Sequence, residues 1–245
     1  MPLDLGPSRI KISAARDNIA RFKEKTNPLS KEFYEILTIE MWTSINTRTI
    51  DLNYQPKEAI SERLASIVGD ALGNLRSALD FAAVRIVEPG TKVYFPVAPR
   101  KDLASHTSIA PIDAKLSGFK DLLLGEIRPE GGANEPLWDL LGKANNDNKH
   151  SDFIPTVAMV MVKNINIKQG TNTLKNCSVE GNAASPIRLV RSLSHIEYSS
   201  DCSAIVDTKF GPGTSVPNAA VVETLDRAVS MVDDALTKVG KLANG

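Results

Sequence analysis

The chain has 245 residues, 42% of them hydrophobic and 24% charged, and its 29 basic and 29 acidic side chains cancel to a formal net charge of zero. That composition excludes disordered, collagen-like and membrane-embedded chains, and it supplies no overall positive field for a nucleic-acid backbone, although a local basic groove is compatible with it. Two cysteines, Cys177 and Cys202, and three dispersed histidines build neither a disulfide framework nor a metal site by local spacing, so two free thiols, no metal and no cofactor are expected.

Residues 1–9 lack the apolar run of a secretory signal and no stretch is apolar enough to span a bilayer, which makes the cytoplasm the expected address, with no membrane partner. Residues 8–25 read as an amphipathic helix in which Ile12, Ala15, Ile19 and Phe22 share one face, and Asn27 with Pro28 stops it. Residues 33–53, rich in β-branched and aromatic side chains, predict two strands with a turn near residues 43–46.

The strongest helical signal covers residues 58–87, where Leu64, Val68, Leu72, Leu75, Leu79, Ala82 and Ile86 hold one narrow stripe. Asp70, Asn74, Ser77 and Phe81 fall on a different face, and a lone Phe among small polar groups there predicts a second packed surface. Glu88, Pro89 and Gly90 end the helix. Residues 93–97 then predict a short strand or extended edge segment, since Pro96 cannot donate from a central strand.

A loop to about residue 110 precedes short helices expected at residues 111–124 and 135–144, with a loop at residues 128–132 between them. Past residues 145–152 the chain turns β-rich, with apolar runs at 154–167, 187–190 and 196–206. A last helix carries Val222, Leu225, Val229, Val232, Leu236 and Val239.

The expected fold is α+β: a long central helix packed by N- and C-terminal helices, with an antiparallel β meander in the C-terminal half. We read residues 1–245 as one domain, which a shift from helix-rich to strand-rich composition subdivides into 1–152 and 153–245. The terminal helices also offer a route to a homo-oligomer.

Two polar clusters can carry chemistry. In the first, Arg76 and Asp80 stand one helical turn apart and can pair, Asn74 lies beside them, and Gly73, costly in a helix interior, predicts close approach by another group. In the second, Asn145 to Asp152 is an uninterrupted polar run. There His150 suits general acid–base work, Lys149 suits a phosphate or carboxylate, and Asn146 and Asp147 can bind a ligand. Each cluster also has a structural reading, as an ion pair with a tied loop and as a helix cap with an Asx turn.

These residues resemble a group of uncharacterised bacterial proteins with a GDxLxNLRSALD helix, an FP segment and an N-x-x-KH element. Here those are residues 69–80, Phe95 with Pro96, and residues 146–150. The resemblance implies a further link to the HEPN helical domains, many of them RNases with an Arg-x4-6-His motif on a long helix. Histidine commonly follows the LRSALD run in the group resembled. This chain has Phe81 there, and Gly73 where a histidine commonly precedes NLRS, so the catalytic pattern is broken. The literal match of Arg100 with His106 falls in a loop and is discounted.

Three readings follow. The favoured one is a binding or interaction protein for an unknown small molecule or protein. The second is a HEPN-like RNase or nucleotide-acting protein of a bacterial defence or toxin system, in which Arg76, Asp80, Lys149 and His150 converge. The third is a small-molecule acid–base enzyme with dispersed site residues. In the favoured reading the two polar clusters are mainly structural; a site shared between them requires Asn74 or Arg76 to lie within reach of residues 146–150, and that proximity is expected.

Overall fold

A computed structural model describes residues 3–42, 45–57, 60–97, 103–147, 156–199 and 201–245, with the backbone alone for 60–62, 143–147 and 156–158. It is a mixed protein of helices and antiparallel sheets, and among the described residues no helix is long and apolar enough to cross a membrane. The chain forms two compact units, the first from Met1–Ala20, Ala65–Pro155 and Phe210–Gly245, the second from Arg21–Leu64 and Thr156–Lys209.

Helix α1 is Gly6–Thr26 and α2 is Ile60–Ile86. The stripe on α2 is buried as its spacing requires: Leu64, Val68, Leu72, Leu75, Leu79 and Ala82 have no exposure. Each such aliphatic side chain contributes about 1.5–3 kcal/mol on burial, which outweighs the weak local preference of a helix carrying Gly73 and several β-branched residues. Ser8, Ile12, Ala15 and Ile19 give α1 an equally buried face. Lys11 Nζ of α1 donates to Asn74 Oδ1 of α2 at 3.2 Å.

The expected helix at residues 111–124 is interrupted. Ile109–Asp113 forms α3, Gly118 adopts a left-handed conformation (φ 85°), and Phe119–Asp121 forms α4, which continues as a π-helical turn over Leu122–Ile127. Gly118 is what permits the break, because a side chain there would be strained. Helix α5, Glu135–Asp147, buries Leu137, Trp138, Leu140 and Leu141. Helix α6, Val221–Asn244, buries Leu225, Val229, Val232, Leu236 and Val239, and Arg9 of α1 pairs with its Asp233.

In the second unit, β1 (Tyr34–Trp42) and β2 (Arg48–Pro56) pair antiparallel, as their composition predicts. A hairpin of β3 (Thr156–Gln169) and β4 (Asn172–Asn182) turns through Gly170, whose φ of 56° belongs to the left-handed region. Strand β6 (Glu197–Tyr198) and β7 (Ser203–Phe210) also pair with β3. The connectivity departs from a consecutive meander, because β5 (Ile187–Ser192) leaves its neighbours in sequence and pairs antiparallel with β2. Gly181 lets β4 pass β5: a Cβ there would stand 2.7 Å from Ile187 Cδ1. Cys177 and Cys202 are both free thiols, the latter buried.

The β2–β5 pairing is locked by charge. Asp51 is 3% exposed, and Arg191, directly opposite in register, donates from Nε and Nη2 to its two carboxylate oxygens at 2.7 Å each. That fork holds the Asp51 carboxyl below the usual range. A group whose folded pKa is depressed contributes stability that is present above its unfolded value and lost as pH falls through the folded one. Arg191→Ala leaves Asp51 buried without its partner, so its urea midpoint at pH 7 should fall. The gap from the parent chain should then narrow below the ordinary aspartate pKa of 3.8.

Candidate functional site

The first cluster is built where α2 meets the extended segment at residues 93–97, which belongs to no sheet. Phe95 at its centre is fully buried all the same, and its backbone N–H and C=O groups need partners. Asp80 and Arg76 supply them. The Phe95 N–H donates to Asp80 Oδ1 at 2.9 Å, and Arg76 Nη2 donates to the Phe95 carbonyl at 2.9 Å. Arg76 Nε also donates to Asp80 Oδ2 at 3.2 Å, and Nη2 stands 3.1 Å from Oδ1, so the pair forms a closed ring with the backbone N–H and C=O of one residue, Phe95.

The adjoining residues complete the arrangement. The Tyr94 N–H donates to Ser108 Oγ at 3.1 Å, and Pro96 has no N–H to satisfy. Between these backbone bonds the Phe95 side chain is fully buried, edge-on to Phe119 (centroids 6.0 Å apart) and stacked on Trp138 (6.3 Å). Arg76 is only 8% exposed.

His106, which sequence reasoning discounted, belongs to this cluster. It is half-buried, and its Nδ1 accepts from the Ser108 N–H at 3.2 Å. Burial and then the Arg76 guanidinium hold its imidazole below the usual histidine range, against the opposing pull of Asp80. With Nδ1 engaged as an acceptor, the neutral ring carries its proton on Nε2, so neither nitrogen offers a free lone pair for proton abstraction. The motif residue Arg100 of the literal match lies outside the described residues.

The described residues place part of the expected site. Arg76 and Asp80 meet each other and Phe95. Asn74 binds Lys11 and, through Nδ2, the Asp70 carbonyl at 2.9 Å, and so ties α1 where a neighbouring loop was expected. Asn146 and Asp147 lie in α5, but their side chains, and Lys149 and His150 entirely, fall outside the described residues, as does any meeting of that run with α2. Two expectations are corrected among the described residues. None of these residues lies within 4 Å of a Cβ built on Gly73, so none approaches it closely. Phe81 is 42% exposed and Asp70 is exposed, so the described residues leave the second face of α2 open around them, although Lys11 binds Asn74 on it.

The second unit holds a feature that no local motif announces. Two cavities, of about 270 Å³ and 530 Å³, share Tyr198 and Ser199 in their walls. Lys31 and Lys57 line the smaller, Lys168 and Lys175 the larger. Lys57 faces Glu35 at 3.9 Å and Lys168 faces Glu197 at 3.5 Å, whereas no carboxylate among the described residues pairs with Lys31 or Lys175. The Tyr198 hydroxyl donates to the Ile36 carbonyl at 3.0 Å, which fixes its half-open ring between the two. These lysines come from four separate stretches of chain, so only the folded unit brings them together.

No family model, curated protein or solved structure matches the chain.

Arg76→Ala should destabilise the first unit by about 2–3 kcal/mol, because it leaves the Phe95 carbonyl and the Asp80 carboxylate without their buried donor. Denaturant unfolding measures the loss, and Arg76→Lys should recover only part of it. The lowered His106 pKa means that the unfolded chain binds its proton more readily than the folded one. Stability from this group is therefore complete above the ordinary value of 6.5 and declines as pH falls below it. The urea midpoint of His106→Gln should vary less between about pH 7 and pH 5 than that of the parent chain.

Proposed function

We propose that this chain is a binding protein that takes an anionic ligand at the Tyr198 cavities of its second unit, while the polar cluster on α2 is a structural fastener. The observation that carries the reading is the pair of unneutralised lysines, Lys31 and Lys175, one on each side of a tethered aromatic ring. Ammonium groups without partners attract phosphate or carboxylate, and a fixed ring face adds stacking for a planar group. In this reading α2 is the central strut, flanked by α1 and α6, which is supported by its fully buried stripe and by the Lys11–Asn74 contact.

The engagement of Arg76, Asp80 and His106 with backbone and with one another counts against catalysis there. A second reading, an RNase or other acid–base enzyme related to the HEPN helical domains, is favoured by one observation: His106 lies within electrostatic reach of both Arg76 and Asp80. It requires these groups to exchange their present partners for a substrate.

Thermal shifts with inorganic phosphate, a nucleoside triphosphate and a short single-stranded oligonucleotide test the first reading. At least one of them should stabilise the protein, by about 2.7 kcal/mol at one hundred times its dissociation constant. Lys31→Glu with Lys175→Glu should remove the effect. No shift with any anion, or an equal shift in the double variant, counts against the proposal. Incubation with total RNA should leave the RNA intact; cleavage that disappears in His106→Ala establishes the second reading in its place.

A further inference from the structure

The face of α2 that the described residues of the first unit leave uncovered has a definite pattern. Asp70, Gly73, Asn74, Ser77, Phe81, Val84 and Arg85 lie within one third of the helix circumference at 100° per residue. All of them are half-buried or exposed, and the two apolar members, Phe81 and Val84, are 42% and 46% exposed. We propose that this stripe is the interface of a homodimer, in which α2 packs antiparallel against α2 of a second copy about a two-fold axis near Ser77 and Ala78.

Three features of the stripe are self-complementary under that axis. Asp70, Gly73, Asn74 and Ser77, spaced i, i+3, i+4 and i+7, outline the four-residue hole that receives a knob from a facing helix. Gly73 deepens the hole, since no atom of the described residues lies within 4 Å of where its Cβ would be. An antiparallel two-fold pairing that matches position 77 with 78 matches Phe81 with 74, which sets the ring over that hole. The same register matches Asp70 with Arg85, so the exposed charges at the two ends of the stripe meet their opposites twice, once on each side of the axis.

The borders of the stripe fit the same partner. On one side Lys11 and the Asp70 carbonyl already engage the Asn74 amide oxygen and one of its two N–H donors, so closing the hole does not strip the amide of all its partners. At the other side the Arg76–Asp80 pair holds Phe95, whose neighbour Tyr94 is 61% exposed and extends the apolar contact past the helix itself. A second copy is favoured over an unrelated partner because knob, hole and both charges are all present on one surface in a register that closes. The inference stands apart from the ligand proposed above, which lies in the other unit.

Sedimentation velocity across concentrations up to about 200 μM, a range that captures weak dimers, tests it. The parent chain should show a monomer–dimer equilibrium. Gly73→Leu fills the hole from a Cβ that meets no described atom within 4 Å, and leucine is the better helix former, so it should keep or raise the thermal midpoint while abolishing the dimer; Phe81→Glu should abolish it too. Asp70→Arg and Arg85→Glu should each weaken association about tenfold or more, and the two together should restore it. A chain that is monomeric throughout, or a dimer that Gly73→Leu and Phe81→Glu leave intact, overturns the proposal. So does a charge-swapped double variant no tighter than the single ones.

Discussion

The first unit depends on how α2 treats the backbone N–H and C=O of Phe95. A segment that contains proline is kept out of the middle of a sheet, yet here it passes through a core where bare N–H and C=O groups are costly. Arg76 and Asp80 solve this by presenting a donor and an acceptor one helical turn apart, the pattern that a neighbouring strand would have offered. A buried ion pair taken alone is close to neutral in stability, because desolvation offsets attraction. This one gains from charge-assisted bonds to backbone groups that would otherwise be unsatisfied, and it positions Phe95 against Phe119 and Trp138.

The two units use polar groups differently. In the first, the conspicuous ones are committed: Arg76, Asp80, Ser108 and His106 bond to backbone or to each other. In the second, Asp51 and Arg191 are committed in the same way, but Lys31 and Lys175 are not. Groups already satisfied inside a fold have little free energy left to offer a ligand, whereas unneutralised charges beside a cavity do. That contrast moves the functional reading away from the residues that look most chemical in one dimension.

The sequence made the helices legible because α1, α2 and α6 each repeat apolar residues at helical spacing, and burial follows that repeat closely. Strand β4 was not legible: Asn172, Thr173, Lys175 and Asn176 make its first half polar and exposed, and only Cys177, Val179 and Gly181 in its second half alternate as half-buried, too short and too weakly apolar a pattern to mark a strand. The β2–β5 pairing was hidden for another reason, since Asp51 and Arg191 stand far apart in the chain and neither forms a motif alone. Within the cluster, the spacing of Arg76 and Asp80 revealed their pairing but not its object. Phe95 and His106 reach them through loops whose path no periodicity records, and the lysines around Tyr198 converge in the same non-local way.

The stripe on α2 shows where pattern reading stops short of packing. A lone Phe among small residues predicts a covered surface, and a covered surface does not require its partner to be intramolecular. Among the described residues, Gly73 weakens the helix without admitting a neighbour, and Phe81 leaves much of its ring in water. Neither feature has a return among those residues. Placed against its own two-fold image, each supplies what the other lacks: the missing Cβ becomes the recess, and the exposed ring becomes what fills it. The charges at positions 70 and 85 admit one direction of approach, because a parallel pairing would set like against like.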